Sequence, residues 1–142
     1  MSAAQARAYV SKAEEYRSAA TTELDADRPI AATSLAIHAA INAADAVTGV
    51  RLGVRAAGQD HDEAIVLLRT AGPDGLAVAK ELGRLLPMKT RAEYEPDEIP
   101  KSDASRAVER ARRIVELARR KAAGQRSNET QAVAVWKESA TS

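Results

Sequence analysis

The sequence predicts an all-α protein, an antiparallel bundle of about four to five helices. Three observations predict this class. Apolar residues recur at helical spacing in several long segments, no stretch alternates as a strand would, and alanine is prominent while aromatic residues make up only 3% of the chain. Alanine and leucine are strong helix formers, and alanine lets two helices approach closely. The 142 residues fit a single domain.

The first two helices are marked by the residues at their ends. Ser2 and Gln5 have the spacing of a capping box, and apolar residues then continue at helical spacing. Asp27 is the expected N-cap of the second helix, because Pro29 suits the first helical turn, where its missing N–H is not needed. We expect this second helix to end at Gly49.

Two shorter helices are predicted next. Asp60 is placed to cap a third helix, which the stretch Gly72-Pro-Asp-Gly75 should end. A fourth helix is expected over Leu76–Leu86, and Pro87 should break, kink or bound it. An extended loop should follow, since two prolines there bias the residues before them away from helix.

The last long helix should begin after Ser102 and stop at Gly124. One apolar face is predicted for it, made of Ala104, Ala107, Val108, Ala111, Ile114, Val115, Ala118 and Ala122. The chain is therefore divided into a bundle over residues 1–124 and a flexible tail over residues 125–142, which could hold one short helix.

The composition of the chain excludes several classes of protein. The chain has no cysteine, so disulfides and thiolate metal sites are excluded, and we expect neither a metal nor a cofactor. No apolar run approaches the roughly 18 residues of a membrane span, and no basic-then-apolar leader begins the chain. We expect a cytoplasmic protein of bacterial type. The net charge is only +1, but eight basic and three acidic residues fall within residues 101–124.

A polar stripe interrupts the apolar second helix. Ser34, His38, Asn42 and Asp45 fall within a sector of about 80° when the segment is placed on a helix. Apolar residues flank the stripe, so it should face other helices rather than water. It is either an internal network that fixes helix register or part of a site that binds a nucleotide or orients a catalytic group.

Basic residues form a second stripe on the last helix. Arg106, Arg110, Arg113 and Arg120 fall within about 40° on either side of one line. Such a stripe could follow a phosphate backbone of RNA or DNA, with binding that weakens as salt rises. The alternative is a solvated face with ion pairs inside the helix.

Four segments together resemble the HEPN domain family. They are Tyr9–Tyr16, Ser34–Val47, Asp60–Leu68 and Leu85–Pro96, and a final helix of matching place and length follows them. The resemblance implies a helical bundle that usually forms a homodimer. Many members of this family act in toxin–antitoxin, defence or RNA-processing systems, some beside a nucleotidyltransferase-type partner protein. Catalytic members are metal-independent ribonucleases that carry an Arg, four to six residues, and then a His.

This chain departs from that signature. At the usual place Lys89 replaces the Arg and Tyr94 the His; Arg91 is close by, and Glu93 completes the acidic-Tyr pair. These positions join the polar stripe as candidates for ligand binding or a polar network.

Arg55 and His61 have the signature spacing but lie before the third helix, which is the wrong element. If they are catalytic, neutral His61 would act as the base, and Arg55 or Arg91 would stabilise the phosphorane. A structural first-turn histidine is the alternative.

Two functions remain open. The first is a dimeric module that binds nucleic acid, a nucleotide or a partner protein without the standard ribonuclease motif. The second is a metal-independent endoribonuclease that uses Arg55 and His61 or the Lys89–Tyr94 segment. The sequence favours the first, because its signature is broken.

Overall fold

A computed structural model describes the backbone of residues 1–52 and 61–141 and the side chains of residues 1–50 and 62–124. These described ranges contain five helices: α1 Ala3–Asp25, α2 Pro29–Leu52, α3 His61–Arg69, α4 Gly72–Tyr94 and α5 Lys101–Thr141. No strand occurs in these described ranges. The prediction of an all-α bundle is therefore confirmed.

The α1–α2 hairpin begins as predicted but turns differently. Ser2 and Gln5 form both hydrogen bonds of the capping box, at 2.8 and 3.1 Å. Asp27 is not the N-cap of α2: its φ of 61° places it in the left-handed turn before the helix. The carbonyl of Arg28 instead accepts the first helical hydrogen bond, from the N–H of Ala32 at 3.0 Å. The physical reason is that the chain must reverse direction before Pro29 can begin a helix.

Helix α2 is the centre of the bundle, in contact with each of the other four helices. Half of its buried residues are alanines: Ala32, Ala36, Ala39, Ala40, Ala43, Ala44 and Ala46 are all fully buried. By length and composition alone the stretch Pro29–Val50 could cross a membrane, but 67% of its apolar window of 18 residues is buried inside the bundle. That burial is typical of a core helix. The helix also passes the expected end at Gly49 and continues to Leu52.

Helix α4 is longer at both ends than the sequence predicted. The stretch expected to end α3 instead begins α4, with Gly72 at φ 81° and the following proline in the first turn. The helix then continues through Pro87 to Tyr94. Pro87 is exposed, so its ring and its missing N–H do not disturb the core, and Leu82 and Leu85 hold the preceding turns in place. Consequently Lys89–Tyr94 is helical.

Helix α5 covers α1, α2 and α4 with the predicted face, since all eight residues named for it are buried. The helix does not stop at Gly124 but runs on to Thr141. A glycine inside a helix costs only about 1 kcal/mol relative to alanine, too little to end a helix whose preceding turns are well packed. The division of the chain at residue 124 stays a prediction.

Candidate functional site

The polar stripe of α2 runs from the surface of the bundle into its core. Its outer members are accessible, because the side chain of His38 is 43% exposed and Ser34 is half-buried. Its inner members are not, because Asn42 is 8% exposed and Asp45 is fully buried. Only the outer half of the stripe can therefore meet a ligand from solution.

The inner half of the stripe is tied to its own helix. The Nδ2 of Asn42 donates a hydrogen bond to the carbonyl of His38 at 2.8 Å. The buried hydroxyl of Thr48 lies 3.2 Å from the carbonyl oxygens of both Ala44 and Asp45. A buried polar group with a hydrogen-bond partner avoids the desolvation penalty of about 1–3 kcal/mol. These contacts favour the interpretation of the inner half as an internal network.

The outer half of the stripe meets two other helices at His38. Its imidazole stacks on the ring of Tyr16 in α1, with centroids 5.4 Å apart and planes inclined by 26°. Its Nε2 lies 3.7 Å from the Oε1 of Glu93, near the end of α4. Aromatic stacking of this kind contributes roughly 0.5–1.5 kcal/mol beyond its buried area. His38 is thus held by neighbours on two helices and still reaches solvent.

Glu93 connects His38 to two further residues of α4. Its Oε2 accepts a hydrogen bond from the Nζ of Lys89 at 3.0 Å. The same Nζ lies 5.8 Å from the ring centroid of Tyr94, which is 74% exposed. We name these five residues the histidine cluster: Tyr16, His38, Lys89, Glu93 and Tyr94. The cluster brings a predicted residue of α2 together with the predicted residues of the Lys89–Tyr94 segment.

A crevice of about 940 Å³ opens beside the histidine cluster, at the end of the bundle where α2 and α5 begin. Ser34 and Glu93 line it together with the apolar side chains of Ile30 and Ile99. Its charged lining residues have both signs: Asp27, Arg28, Glu93, Glu98 and Lys101. Because acidic groups offset the basic ones, the crevice has no electrostatic preference for an anion.

A second concavity, of about 230 Å³, lies between α4 and α5. Arg84 and Arg91 border it from α4, and Arg106 and Arg110 from α5. We name this concavity, by these four residues, the arginine groove. The remaining lining residues are Leu85, Met88, Asp103 and Ala107. Arg84 and Arg91 are seven positions apart, and Arg106 and Arg110 are four apart. Each pair therefore lies on one face of its helix.

The positive charge of the arginine groove is only partly neutralised. Asp103 is the one acidic lining residue, and its carboxylate oxygens lie 3.5 Å from Arg91 and 3.8 Å from Arg106. The Nη1 of Arg110 donates to Glu81, outside the lining, at 2.9 Å. Among the described side chains, none forms an ion pair with exposed Arg84. The lining therefore carries four guanidinium groups against one carboxylate.

The predicted arginine stripe is divided by the tertiary structure. Arg106 and Arg110 belong to the arginine groove. Arg113 lies outside that lining, 3.5 Å from Glu109 and 3.8 Å from Glu81 of α4, and Arg120 lies 3.2 Å from Glu116. Arg106 and Arg110 line the groove from α5. Arg91, which the sequence predicts as a candidate in a different segment, lines the same groove from α4. Arg84 was missed, although its spacing from Arg91 is two helical turns, because the fourth helix was expected to end before Arg91.

Ion pairs neutralise much of the outer face of α5. Arg119 donates two hydrogen bonds to Glu116, at 2.7 and 3.0 Å, and with Arg120 it lowers the pKa of that carboxyl to about 2. Arg112 holds Glu109 in the same geometry and lowers its pKa as well. The two arginines that α5 contributes to the groove are also paired, Arg106 with Asp103 and Arg110 with Glu81. The uncompensated charge of the groove therefore comes from α4, where Arg84 has no ion pair among the described side chains.

Two predicted candidates lie outside the described part of the chain. They are Arg55 and the side chain of His61, although the backbone of His61 begins α3. No three His, Cys, Asp or Glu side chains are grouped as metal ligands in the part of the chain that the structure describes.

Comparison with known proteins identifies the fold. The family model of the HEPN domain matches residues 6–121, which is most of the chain and includes both the histidine cluster and the arginine groove. Comparison with curated proteins found no match. The predicted resemblance is confirmed.

Proposed function

The chain belongs to the HEPN domain family, and from this premise we propose that it is a module that binds RNA through the arginine groove. The observation that carries the proposal is the presence of four guanidinium groups against a single carboxylate along the cleft between α4 and α5. Guanidinium groups bind phosphate oxygens through two parallel hydrogen bonds, which makes arginine well suited to a nucleic-acid backbone.

The charge of the groove gives a measurable property. Each phosphate neutralised on a single strand contributes about −0.7 to the slope of log K against log salt concentration. Four contacts therefore give a slope of about −2.8, which is roughly a 50-fold loss of affinity between 50 and 200 mM salt. Removing two guanidinium groups should reduce the slope to about −1.4.

The test is a titration of a fluorescently labelled single-stranded RNA, followed by anisotropy at several salt concentrations. The double substitution Arg84→Ala with Arg91→Ala should halve the salt slope. The matched control is Arg112→Ala with Arg119→Ala, which removes the same charge from the outer face of α5. If both double variants lower the slope equally, RNA responds to overall charge and the groove is not the site.

The second candidate function, a metal-independent endoribonuclease, is supported by one observation. The Nε2 of His38 in α2 lies 3.7 Å from the Oε1 of Glu93. Glu93 belongs to the Lys89–Tyr94 segment, which corresponds to the family signature. In this proposal His38 accepts the proton of a ribose 2′-hydroxyl as its oxygen attacks phosphorus, and Lys89 stabilises the anionic phosphorane. The bond to the 5′-oxygen breaks, that oxygen takes a proton from the phenol of Tyr94, and a 2′,3′-cyclic phosphate forms.

The ribonuclease proposal is tested by incubating RNA with the protein in excess chelator and analysing the ends of any products. Cleavage that gives cyclic phosphates and disappears in His38→Ala, while the variant still binds RNA, would support it. Cleavage that survives His38→Ala but disappears in His61→Ala would assign the chemistry to Arg55 and His61 instead. No cleavage by the unmodified protein would leave the binding module as the function.

Membership of the family also supports a proposal for the cellular setting. We propose a homodimer in the bacterial cytoplasm that works in a toxin–antitoxin or defence system, with a nucleotidyltransferase-type protein as its partner. Light scattering of the purified protein should then give twice the chain mass of 15.1 kDa. A mass of 15.1 kDa across the concentrations used for RNA binding would contradict the dimer.

A further inference from the structure

The arginine groove is small for a nucleic-acid cleft. Its volume is about 230 Å³, whereas sites for small molecules usually measure about 300–1,000 Å³. A space of this size encloses one phosphate with part of its sugar, while the adjoining phosphates of the strand would lie along the rim, where Arg84 and Arg106 are exposed. From this size and from the charge of the lining we propose that the groove receives the terminal phosphomonoester of an RNA strand. This inference rests on the proposed RNA-binding function.

The charge of the lining fits this ligand. Four arginines and Asp103 leave a net charge of +3 on the lining residues, and Glu81, which accepts a hydrogen bond from Arg110 outside the lining, offsets part of it. A phosphomonoester carries about −1.5 to −2 at pH 7 and has three free oxygens, whereas each phosphodiester of the backbone carries a single negative charge. The additional charge and the additional acceptor oxygen favour the end of a strand over its interior.

The hydrogen-bond geometry leaves donors available for a ligand. Charge-assisted hydrogen bonds of guanidinium groups are about 2.7–2.9 Å long, but Asp103 lies 3.5 Å from Arg91 and 3.8 Å from Arg106. Arg110 is fixed by its 2.9 Å hydrogen bond to Glu81 and can offer its remaining N–H groups. The groove is therefore preorganised by carboxylates that do not saturate its donors.

The apolar part of the lining strengthens these interactions. Leu85 is fully buried, Ala107 is 2% exposed, and half-buried Met88 completes this part of the groove. Coulombic attraction increases where apolar groups keep water away. A phosphate that enters the groove would thus interact with the guanidinium groups over an apolar wall.

The substitution Asp103→Asn tests the proposal, because a phosphate site and a purely structural cluster predict different effects on phosphate binding. The carboxylate of Asp103 holds two arginines but also repels an anion. Asp103→Asn should therefore tighten the binding of a terminal phosphate, because the net charge of the lining rises from +3 to +4. Unchanged binding of the terminal phosphate by Asp103→Asn would overturn this assignment, because a carboxylate of the lining must act on a phosphate that is bound beside it.

The experiment compares three oligoribonucleotides of the same sequence, with a 5′-phosphate, with a 3′-phosphate, or with hydroxyl groups at both ends. They compete with a labelled RNA in an anisotropy titration. We expect at least one phosphorylated strand to bind about tenfold more tightly than the strand with two hydroxyl ends. The phosphorylated strand with the higher affinity shows which end of the RNA the groove receives. The exposed single substitution Arg84→Ala should reduce this preference, whereas Arg112→Ala should leave it unchanged.

The outcomes separate this inference from the proposed function. Equal binding of all three strands by the unmodified protein, with the expected salt slope, would overturn the terminal-phosphate site and leave RNA binding by the groove intact. If none of the three strands binds, both proposals fail. A phosphate preference that persists in Arg84→Ala and in Arg91→Ala would place the phosphate site elsewhere on the protein.

Discussion

Two glycines stand inside helices of this protein under opposite steric conditions. A Cβ atom built on Gly75 in α4 would lie 2.2 Å from the carbonyl oxygen of Leu68 and 2.7 Å from the Cβ of Ala71. A Cβ atom built on Gly124 in α5 would have no such neighbour within 4 Å among the described residues. The same replacement by alanine should therefore destabilise the protein at one site and stabilise it at the other.

The magnitudes follow from these distances. Alanine gains about 1 kcal/mol over glycine in a helix interior. At Gly75 the close approach is to backbone, which cannot rotate away, so the overpacking penalty should be near 3 kcal/mol, the upper end of the usual range. The net changes are a loss of about 2 kcal/mol for Gly75→Ala and a gain of about 1 kcal/mol for Gly124→Ala. An unfolding entropy of roughly 0.3 kcal/mol/K for this length converts them to about −7 °C and +3 °C in Tm.

The assay is thermal unfolding followed by far-UV circular dichroism, with denaturant unfolding as a second measure of the free energy. Each variant is the control for the other, because the chemical change is identical. An increase in Tm for Gly75→Ala would refute the close approach between α3 and α4. A decrease for Gly124→Ala would refute a helix that passes through this position in open space.

Three further predictions concern the core, a helix end and an exposed ion pair. Leu82→Ala should lower the free energy of unfolding by about 2–5 kcal/mol, because Leu82 is fully buried; denaturant unfolding measures this, and a loss below about 1 kcal/mol would contradict the packing. Ser2→Ala should lower it by about 1 kcal/mol by removing the cap hydrogen bond to the N–H of Gln5, which a Tm lowered by about 3 °C would report. Arg119, with Arg120, lowers the pKa of Glu116 from 4.5 to about 2, so this carboxylate stabilises the folded state above pH 4.5 and the contribution is lost as pH falls through 2. Glu116→Gln should therefore be less stable than the unmodified protein at pH 7, and the difference should shrink as pH falls from 4.5 toward 2; a difference that stays constant over this range would contradict the assigned pKa.

The ends of the helices show where local patterns mislead. Pro87 was expected to break, kink or bound a helix and Gly124 to end one, and both lie inside a helix. Their intrinsic penalties are real but local, whereas the packing of neighbouring turns acts over the whole helix. Exposure decides the outcome at Pro87, because its ring meets solvent rather than the core. The error had a consequence for the site, since it separated Arg84 from Arg91 and so concealed the α4 side of the arginine groove.

The candidate sites show the same division between local and long-range information. Lys89 and Glu93 could be recognised as partners from their spacing of four residues, and they do form a hydrogen bond. The stacking of His38 on Tyr16 could not be recognised, because these residues lie on different helices and their meeting depends on how α1 and α2 cross. Sequence patterns specify which residues share a face of one helix but not which face of another helix lies opposite.

The sequence by itself determined the all-α class, the membership of the HEPN family, the capping box and the buried face of α5. Each of these depends on residue type and on spacings within one helix or on a pattern spread along the whole chain. Only the tertiary structure decided that two arginines of α4 face two of α5 and that Glu93 reaches His38. These contacts depend on how the packed helices are rotated and how they cross. The combined burial of many alanines sets that arrangement, and no short segment encodes it.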